Sequence, residues 1–229
     1  METKFKFDES LNILRENPSL MIPSVLFLIL MVASILLAIA LVFFMIGLIP
    51  PLITDAATGI SAFFTFLILF FLCIIFYVII IWVLEMLIFT TTTDMACKAI
   101  EGGKAGFSDF TAAVKKYFFR SITAGILVGV LSMVGLLFFW IGTLIVQFFL
   151  FFVPVFMVRE NLGAIESIKK SINFVRENII DSLIIFAVYL GAMIVSGWLF
   201  YIPMILAIPV VFLVAIQLVD EVEKKAVTV

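Results

Sequence analysis

The sequence predicts an all-α fold: a polytopic bundle of six transmembrane helices with three cytoplasmic amphipathic helices and both termini in the cytoplasm. Hydrophobic residues make up 65% of the 229 positions and charged residues only 13%. Soluble domains average about 45–50% apolar and about 25% charged residues. A water-soluble core of this size cannot hide so much apolar surface. We therefore expect residues 1–229 to form one multi-pass domain in the cell membrane.

The positions of Lys and Arg set the number of spans. All 14 of these residues fall into four clusters, and the three regions between the clusters are residues 16–97, 121–158 and 177–223. A helix needs about 20 apolar residues to cross the hydrocarbon, so each region is too long for one span and holds two. Six spans place every Lys and Arg on one side, which the positive-inside rule assigns to the cytoplasm.

Proline and polar residues predict where the first region turns. We expect a first helix over residues 20–48, stopped by Pro50 and Pro51, and a second over residues 62–89. Proline ends a helix because it lacks the backbone N–H and clashes with the preceding turn. The polar turn between the two helices contains Asp55, the only charge expected on the far side of the membrane.

The other two regions are each expected to contain a hairpin, with turns near residues 140–143 and 201–203. Trp140 and Tyr201 lie at these turns, where aromatic side chains favour the membrane interface. A single tilted helix in each region would give four spans instead. That alternative needs one span over residues 121–158, well beyond the usual length of about 17–25 residues.

Three cytoplasmic segments have the spacing of amphipathic helices: residues 5–17, 107–118 and 163–179. Apolar residues recur there at every third or fourth position, which places them on one helical face. In the last segment these residues are Ile165, Ile168, Ile172, Val175 and Ile179. We expect such helices to lie in the membrane interface with their apolar faces in the acyl boundary.

Two short segments recur along the chain. Ser10–Asn17 resembles Ser171–Asn178, and Phe152–Val158 resembles Ala207–Leu213. These similarities predict three repeated units, each an amphipathic helix followed by a transmembrane hairpin. The bounds of the units are residues 1–103, 104–160 and 161–229.

The first span of each unit contains small residues four positions apart. Such spacing lets helix backbones approach closely in lipid, where packing drives association. We therefore expect these three helices to form the inner contact of the protein. The residues are Ser34 and Ala38, Gly125 and Gly129, and Ala187 and Gly191.

Few side chains in the spans could carry chemistry. Glu85 lies within the second apolar run, and an ionisable residue at membrane depth is a candidate functional site. It could equally be an interfacial carboxylate, or one that is paired with Arg120. Thr90, Thr93 and Asp94 follow on the same helix and could complete a polar or cation site. A polar run of this kind more often marks the point where a helix leaves the membrane.

The residue inventory argues against an enzyme. The chain contains no histidine, which removes the commonest general base and zinc ligand. No Gly-x-Ser-x-Gly or His-Glu-x-x-His motif and no convergent carboxylate cluster occurs. We expect no metal, no cofactor and no nucleic acid. Membrane lipids and further copies of the chain are the expected partners.

One stretch resembles a known family. Phe151–Gly163, which contains Pro154, Glu160 and Gly163, is followed by Ala164–Ser171 and a further span. This order is similar to the membrane domain associated with glycerophosphoryl diester phosphodiesterases. It also resembles uncharacterised prokaryotic, largely archaeal, six-span families. The resemblance covers mainly residues 150–190. It implies a six-span architecture without enzymatic activity, since the catalytic barrel of those phosphodiesterases has no counterpart here.

Three functions are compatible with these observations. The first is a small channel or transporter-like permeation protein with Glu85 and the Thr90–Asp94 segment near its cytoplasmic mouth. The second is a scaffold protein whose amphipathic helices organise the bilayer without transport. The third is an enzyme acting on lipid, which the missing histidine makes the weakest of the three.

Overall fold

The computed structural model describes residues 5–53 and 56–227, which are helical along most of their length. A 3₁₀ turn at Pro18–Met21 joins the first two helices. In chain order the helices are α1 (Phe7–Glu16), α2 (Ile22–Ile53), α3 (Ala56–Ile100), α4 (Phe107–Leu136), α5 (Phe139–Leu150), α6 (Val153–Arg159), α7 (Ala164–Glu177), α8 (Ile179–Trp198) and α9 (Met204–Val227).

Six helical segments are long and apolar enough to cross a membrane, which confirms the predicted number of candidate spans and indicates a multi-pass membrane protein. The four-span alternative is wrong, because a turn at residues 137–138 separates α4 from α5 and another at 199–203 separates α8 from α9. The six segments are Pro18–Phe44, Phe63–Ile100, Phe107–Leu136, Phe139–Arg159, Ile179–Trp198 and Met204–Lys225.

Large apolar side chains cover the outside of these segments. Phe71, Phe76 and Leu137 are 59%, 67% and 79% exposed, and many Ile, Leu and Val side chains are exposed beside them. Soluble monomers rarely expose contiguous apolar patches beyond a few hundred Å². In a bilayer the same side chains would contact lipid tails, so the surface agrees with the membrane class that the composition predicts.

The spans form three helical hairpins: α2 with α3, α4 with α5 and α6, and α8 with α9. Helix α3 packs against α2, α4, α6 and α9, and α9 also packs against α1 and α8. Residues 211–216 of α9 are nearly inaccessible, as are residues 90–93 of α3 and residues 152–157 at the start of α6. Helices α3 and α9 therefore form the centre of the bundle.

Two helix ends differ from the prediction. Helix α2 continues to Ile53, so Pro50 and Pro51 lie in its last turn and not beyond it. Helix α3 continues past the predicted end at residue 89 to Ile100. It ends there because Gly102 adopts a left-handed conformation, with φ +82°, which glycine allows at low cost. Asp55, the charge predicted between these helices, lies outside the described residues.

The amphipathic segments differ in part from the prediction. Residues 107–118 do not form a separate helix, since they are the first turns of α4. Helices α1 and α7 are separate, but their most apolar faces pack against other helices: Leu14 of α1 and Val175 of α7 are buried. The expectation that these faces enter the lipid is wrong for most of their length. Only Ile165 and Ile179 of the predicted α7 stripe are largely exposed.

Helices α1 and α7 share local details that follow their sequence similarity. Ser10 and Ser171 are both fully buried. Each helix ends at an asparagine whose side-chain amide donates to the carbonyl oxygen four residues earlier. The bonds are Asn17 to Ile13, at 3.2 Å, and Asn178 to Phe174, at 3.1 Å. The division into three repeated units stays a prediction, to which these two caps add a structural correspondence.

The small residues have different roles in the three helices. A Cβ atom on Gly125 would lie 2.6 Å from Cα of Val83, and one on Gly129 would lie 3.3 Å from the Trp82 ring. Helix α4 therefore approaches α3 closely through these two glycines. Ala187 and Gly191 of α8 are exposed. The expectation that the first spans of the three units form the inner contact is thus wrong, because α3 and α9 occupy that position.

The α2 pair of small residues packs less tightly than the α4 pair. Ser34 and Ala38 are half-buried, and the Ser34 hydroxyl donates to the carbonyl oxygen of Met31 in its own helix, at 2.8 Å. Among the described glycines the tightest approach involves a different pair. A Cβ on Gly142 would overlap the carbonyl oxygen of Gly135, so the lack of a side chain there lets α4 and α5 approach closely beside their turn.

The packing of α4 on α3 predicts the effect of enlarging Gly125. Gly125→Leu should lower the free energy of unfolding by about 1–3 kcal/mol, because the added side chain overlaps the α3 backbone. Thermal unfolding in detergent measures the change. Gly191→Leu is the matched control, since a Cβ there meets no atom within 4 Å. Equal stability of the two variants would contradict the close approach of α4 to α3.

Candidate functional site

Glu85 is the one charged residue that the structure describes between Glu16 and Asp94. It lies on α3 and is half-buried. The hydroxyl of Tyr189, on α8, donates a hydrogen bond to Oε1 of Glu85 at 3.1 Å. Tyr189 itself is 5% exposed. This bond provides part of the polar contact that a carboxyl group requires at membrane depth.

Glu85 lies at one end of a cavity of about 360 Å³. Trp82, Gln147 and Tyr189 line the cavity beside Glu85, and Trp140 and Tyr201 line it farther away. Trp140 lies just after the α4–α5 turn and Tyr201 lies within the α8–α9 turn. The cavity therefore extends from Glu85 toward the end of the bundle that carries these two turns, which we call the apolar end.

A smaller cavity of about 40 Å³ lies against the same carboxylate. It shares Trp82, Gln147 and Tyr189 with the larger cavity, and Phe151 and Pro154 also line it. These last two residues lie where α5 stops and α6 begins, so the candidate span formed by α5 and α6 is interrupted beside Glu85. Interrupted helices are tolerated at membrane depth where they are buried in protein or line a cavity.

Pro154 and Ser171 stabilise this interruption of the span. Pro154 lies in the first turn of α6, a position where its missing N–H leaves no hydrogen bond unmade. The carbonyl oxygen of Phe149, near the end of α5, accepts a hydrogen bond from the hydroxyl of Ser171 at 2.7 Å. Ser171 lies on α7, so α7 supports the interrupted span from the side.

Aromatic rings pack together beside Glu85 on the side away from the apolar end, and two of them, Phe89 and Phe151, line the smaller cavity. The ring of Phe212 lies 4.9 Å from that of Phe89 and stacks on that of Phe151 at 5.7 Å, measured between centroids. Phe151 in turn lies 5.4 Å from Tyr189. We call Phe89, Phe151 and Phe212 the aromatic floor. All three are buried, so the floor separates Glu85 from the residues that follow it on α3.

The threonines beyond the aromatic floor use their hydroxyl groups within their own helix. Thr90 donates to the carbonyl oxygen of Met86 at 2.7 Å, and Thr93 donates to that of Phe89 at 2.8 Å. Thr91 and Thr92 both donate to Ile88. Such bonds satisfy Ser and Thr inside a helix, which explains why the polar run does not end α3. All four residues are fully buried.

The structure places the four predicted site residues in three different environments. Glu85 lines both cavities, whereas Thr90 and Thr93 lie beyond the aromatic floor. The carboxylate of Asp94 lies 3.6 Å from the ammonium group of Lys116 on α4. Within the described residues no group of three or more His, Cys, Asp or Glu could hold a metal ion. A shared cation site of the four residues stays a prediction without support from their arrangement.

Ion pairs join the helices at the end of the bundle opposite to the apolar end, which we call the charged end. Arg159 of α6 pairs with Asp220 of α9, and its other nitrogen lies 3.7 Å from Glu101. Lys98 at the end of α3 pairs with Asp109 of α4 at 2.6 Å. The Arg159 pairs join helices that are distant in the sequence, and the Lys98 pair joins the consecutive helices α3 and α4, so together they support the packing at this end.

Lys170 of α7 adds another ion pair at the charged end. It pairs with Glu160 and lies 3.4 Å from Glu223 of α9. Partial burial lowers the pKa of Lys170, but its hydrogen bond to Glu160 and the two carboxylates raise that pKa above its usual value. Lys170 therefore stays charged at neutral pH, and its stabilising contribution is lost only as the pH rises through that raised pKa.

Arg120 does not neutralise Glu85. Its guanidinium group donates to the side chain of Asn161 at 2.6 Å and to the backbone carbonyl of the same residue at 3.1 Å. The alternative that Glu85 pairs with Arg120 is therefore wrong. The partner of Glu85 is Tyr189, which sequence reasoning missed. The available signal was one polar tip near the middle of a largely apolar span, 104 residues away from Glu85.

Comparisons with known proteins identify no relative: no family model matches the chain, and neither do the curated proteins or the solved structures that were searched. The class of the protein accordingly rests on its own fold, which is an all-helical bundle with six candidate spans. Its one distinguishing site is the cavity that contains Glu85.

The bond between Glu85 and Tyr189 predicts non-additive effects of mutation. Glu85→Ala and Tyr189→Phe should each change the free energy of unfolding, and the double variant should differ from their sum by about 0.5–1.5 kcal/mol, the net value of a typical hydrogen bond. Reversible unfolding in mixed micelles measures the four proteins. Additive effects would mean that the two side chains do not interact in the folded protein.

Proposed function

We propose that the six candidate spans cross the membrane with the charged end in the cytoplasm, and that the chain is a transporter-like permeation protein. The cavity at Glu85 is the proposed solute site of this protein. Its main support is one arrangement: a carboxylate at membrane depth, at the closed end of a cavity, beside an interrupted helix. Transporters commonly form their sites at interrupted helices near the bilayer midplane.

The distribution of packing favours a carrier over an open channel. From the aromatic floor toward the charged end, Thr90 to Thr93 and residues 211–216 of α9 are buried. Neither of the two cavities that Glu85 lines has a described lining residue at the charged end. A channel needs a continuous path, whereas a carrier exposes its site to one side at a time. The observed arrangement corresponds to a carrier whose site is open toward the apolar end.

The scaffold function receives less support from the structure. It requires amphipathic helices with apolar faces free to enter the lipid. Leu14 of α1 and Ile168 and Val175 of α7 instead pack within the protein. The enzyme hypothesis also gains no observation in its favour. The resemblance of residues 150–190 to six-span membrane families is a reason to propose a six-span architecture. Membership of such a family remains a proposal.

Solute flux across proteoliposomes tests the proposed function. We expect flux of at least one cation from a panel of H⁺, Na⁺, K⁺ and tetraethylammonium, because the one charged group among the described lining residues of the cavity is acidic. Glu85→Gln should abolish most of that flux, since it removes the charge and retains the shape and the acceptor oxygen for Tyr189. Fluorescent indicators or isotopes inside the vesicles measure the rate.

Glu177→Gln is the matched control for this experiment. Glu177 is an exposed carboxylate on α7, outside the cavity, so its loss should leave the flux unchanged. Equal loss of flux in the two variants would indicate a nonspecific effect of surface charge. If the wild-type protein passed neither these four cations nor a larger organic cation under any gradient, the proposed function would be wrong.

A further inference from the structure

The charge of the cavity limits which ligands it can bind. Glu85 is the one charged side chain among its described lining residues. Among the cationic groups at the charged end, Lys116 and Arg159 take part in ion pairs and Arg120 donates to Asn161. An anionic ligand would therefore meet an uncompensated like charge in a poorly solvated site, which is strongly unfavourable. A cation would meet an opposite charge.

The walls of the cavity provide the second constraint. Aromatic side chains line the space on several sides. Trp82 lies near Glu85, Tyr77 lies about two turns before Glu85 on α3, and Trp140 and Tyr201 lie toward the apolar end. The faces of Trp and Tyr rings attract cations through their quadrupoles, and more strongly where water is excluded. Phe27, from α2, adds apolar surface to the same wall.

A bare metal ion does not suit this site. Ca²⁺ takes six to eight oxygen ligands and Mg²⁺ about six. Beside the Glu85 carboxylate the lining offers only an amide and a few hydroxyl groups, from residues such as Gln147, Thr143 and Tyr189. Tyr189 donates its proton to Oε1 of Glu85, and no described residue donates to Oε2. The one carboxylate supplies a single negative charge, which matches a ligand with one positive group.

The size of the cavity supplies the third constraint. Its volume of about 360 Å³ falls within the range of about 300–1,000 Å³ that is typical of sites for organic molecules. The space extends from Glu85 to the α8–α9 turn, and most of its wall is apolar. A ligand that fills it therefore needs an extended apolar body with one positive end.

We propose that the cavity binds a monovalent organic cation with an aromatic or aliphatic body, its charged group at Glu85 and its body between Trp82, Trp140 and Tyr201. This assignment names the ligand class of the site proposed above and rests on that proposed function. Glu85 supplies the opposite charge. Trp82 contacts the charged group from the side, and the rings near the mouth cover the body.

N-methyl-4-phenylpyridinium is a suitable probe, because it is permanently charged and has a neutral counterpart of the same shape, 4-methylbiphenyl. We expect the cation to bind the purified protein in nanodiscs, measured by calorimetry with empty nanodiscs subtracted. We expect an excess of 4-methylbiphenyl to leave its affinity unchanged. Glu85→Gln should weaken binding at least about tenfold and Trp82→Ala several-fold, whereas Glu177→Gln should have no effect.

The outcomes separate this proposal from the proposed function. Binding that depends on Glu85, without flux of any cation, would support the ligand class and contradict the carrier. Flux of an inorganic cation that depends on Glu85, without binding of the probe, would support the carrier and overturn the ligand class. Equal competition by 4-methylbiphenyl would also overturn it, since recognition would then depend on apolar shape alone.

Because Trp82→Ala also removes packing against Gly129, a loss of binding in that variant needs a second test. Trp82→Phe retains a ring and much of the volume but has a weaker cation-binding face. We expect an intermediate affinity with unchanged thermal stability. Full binding by Trp82→Ala in a folded protein would show that the α3 ring does not contact the charged group.

Discussion

The carboxyl group of Glu85 imposes the strongest constraint on this structure. A charged side chain at the centre of a bilayer costs about 2.5–3.5 kcal/mol on insertion scales, and the neighbouring spans contain little that could offset it. Tyr189 provides one hydrogen bond. The rest of the surroundings is aromatic and apolar. The single hydrogen bond offsets only part of the free-energy cost of the carboxylate. A costly ionisable group of this kind is by default a candidate functional site, and here it lies at one end of a cavity.

The two halves of the bundle on either side of Glu85 differ in how tightly their side chains pack. On the side of the charged end, the aromatic floor, the buried threonines and the core of α9 exclude solvent. Ion pairs such as Arg159 with Asp220 join the helix ends there. On the side of the apolar end, most described side chains at residues 32–44 of α2 and 63–76 of α3 are exposed, and the larger cavity lies on this side. The site therefore lies at the boundary between a tightly packed half and an open half.

The sequence predicts the class of fold because hydropathy and the positions of Lys and Arg depend on local composition alone. Prediction from the sequence fails where the structure of a segment depends on which groups of the folded chain it contacts. The run from Thr90 to Thr93 suggested a helix end, yet each hydroxyl finds an acceptor in its own helix and α3 continues. The stripe on α7 suggested contact with lipid, yet α5 and α6 cover it.

The candidate site shows the same limit. Glu85 could be selected from the sequence, since an acidic residue within an apolar run is rare. Its partner Tyr189 and the interruption of the span at Phe151 could not, because both depend on how three hairpins pack together. Gly125 was predicted as a packing residue from its spacing, but its contact with the backbone of Val83 required the structure.

The most direct test of this account is the accessibility of position 85. Glu85→Cys, in a protein whose native Cys73 and Cys97 are replaced, should react with a membrane-impermeant methanethiosulfonate reagent added on the side opposite the cytoplasm. Thr93→Cys, about one turn beyond Phe89 of the aromatic floor on the same helix, should not react from that side. Reaction of Glu85→Cys only from the cytoplasm, or equal reaction at both positions, would contradict a cavity that opens at the apolar end and closes at the aromatic floor.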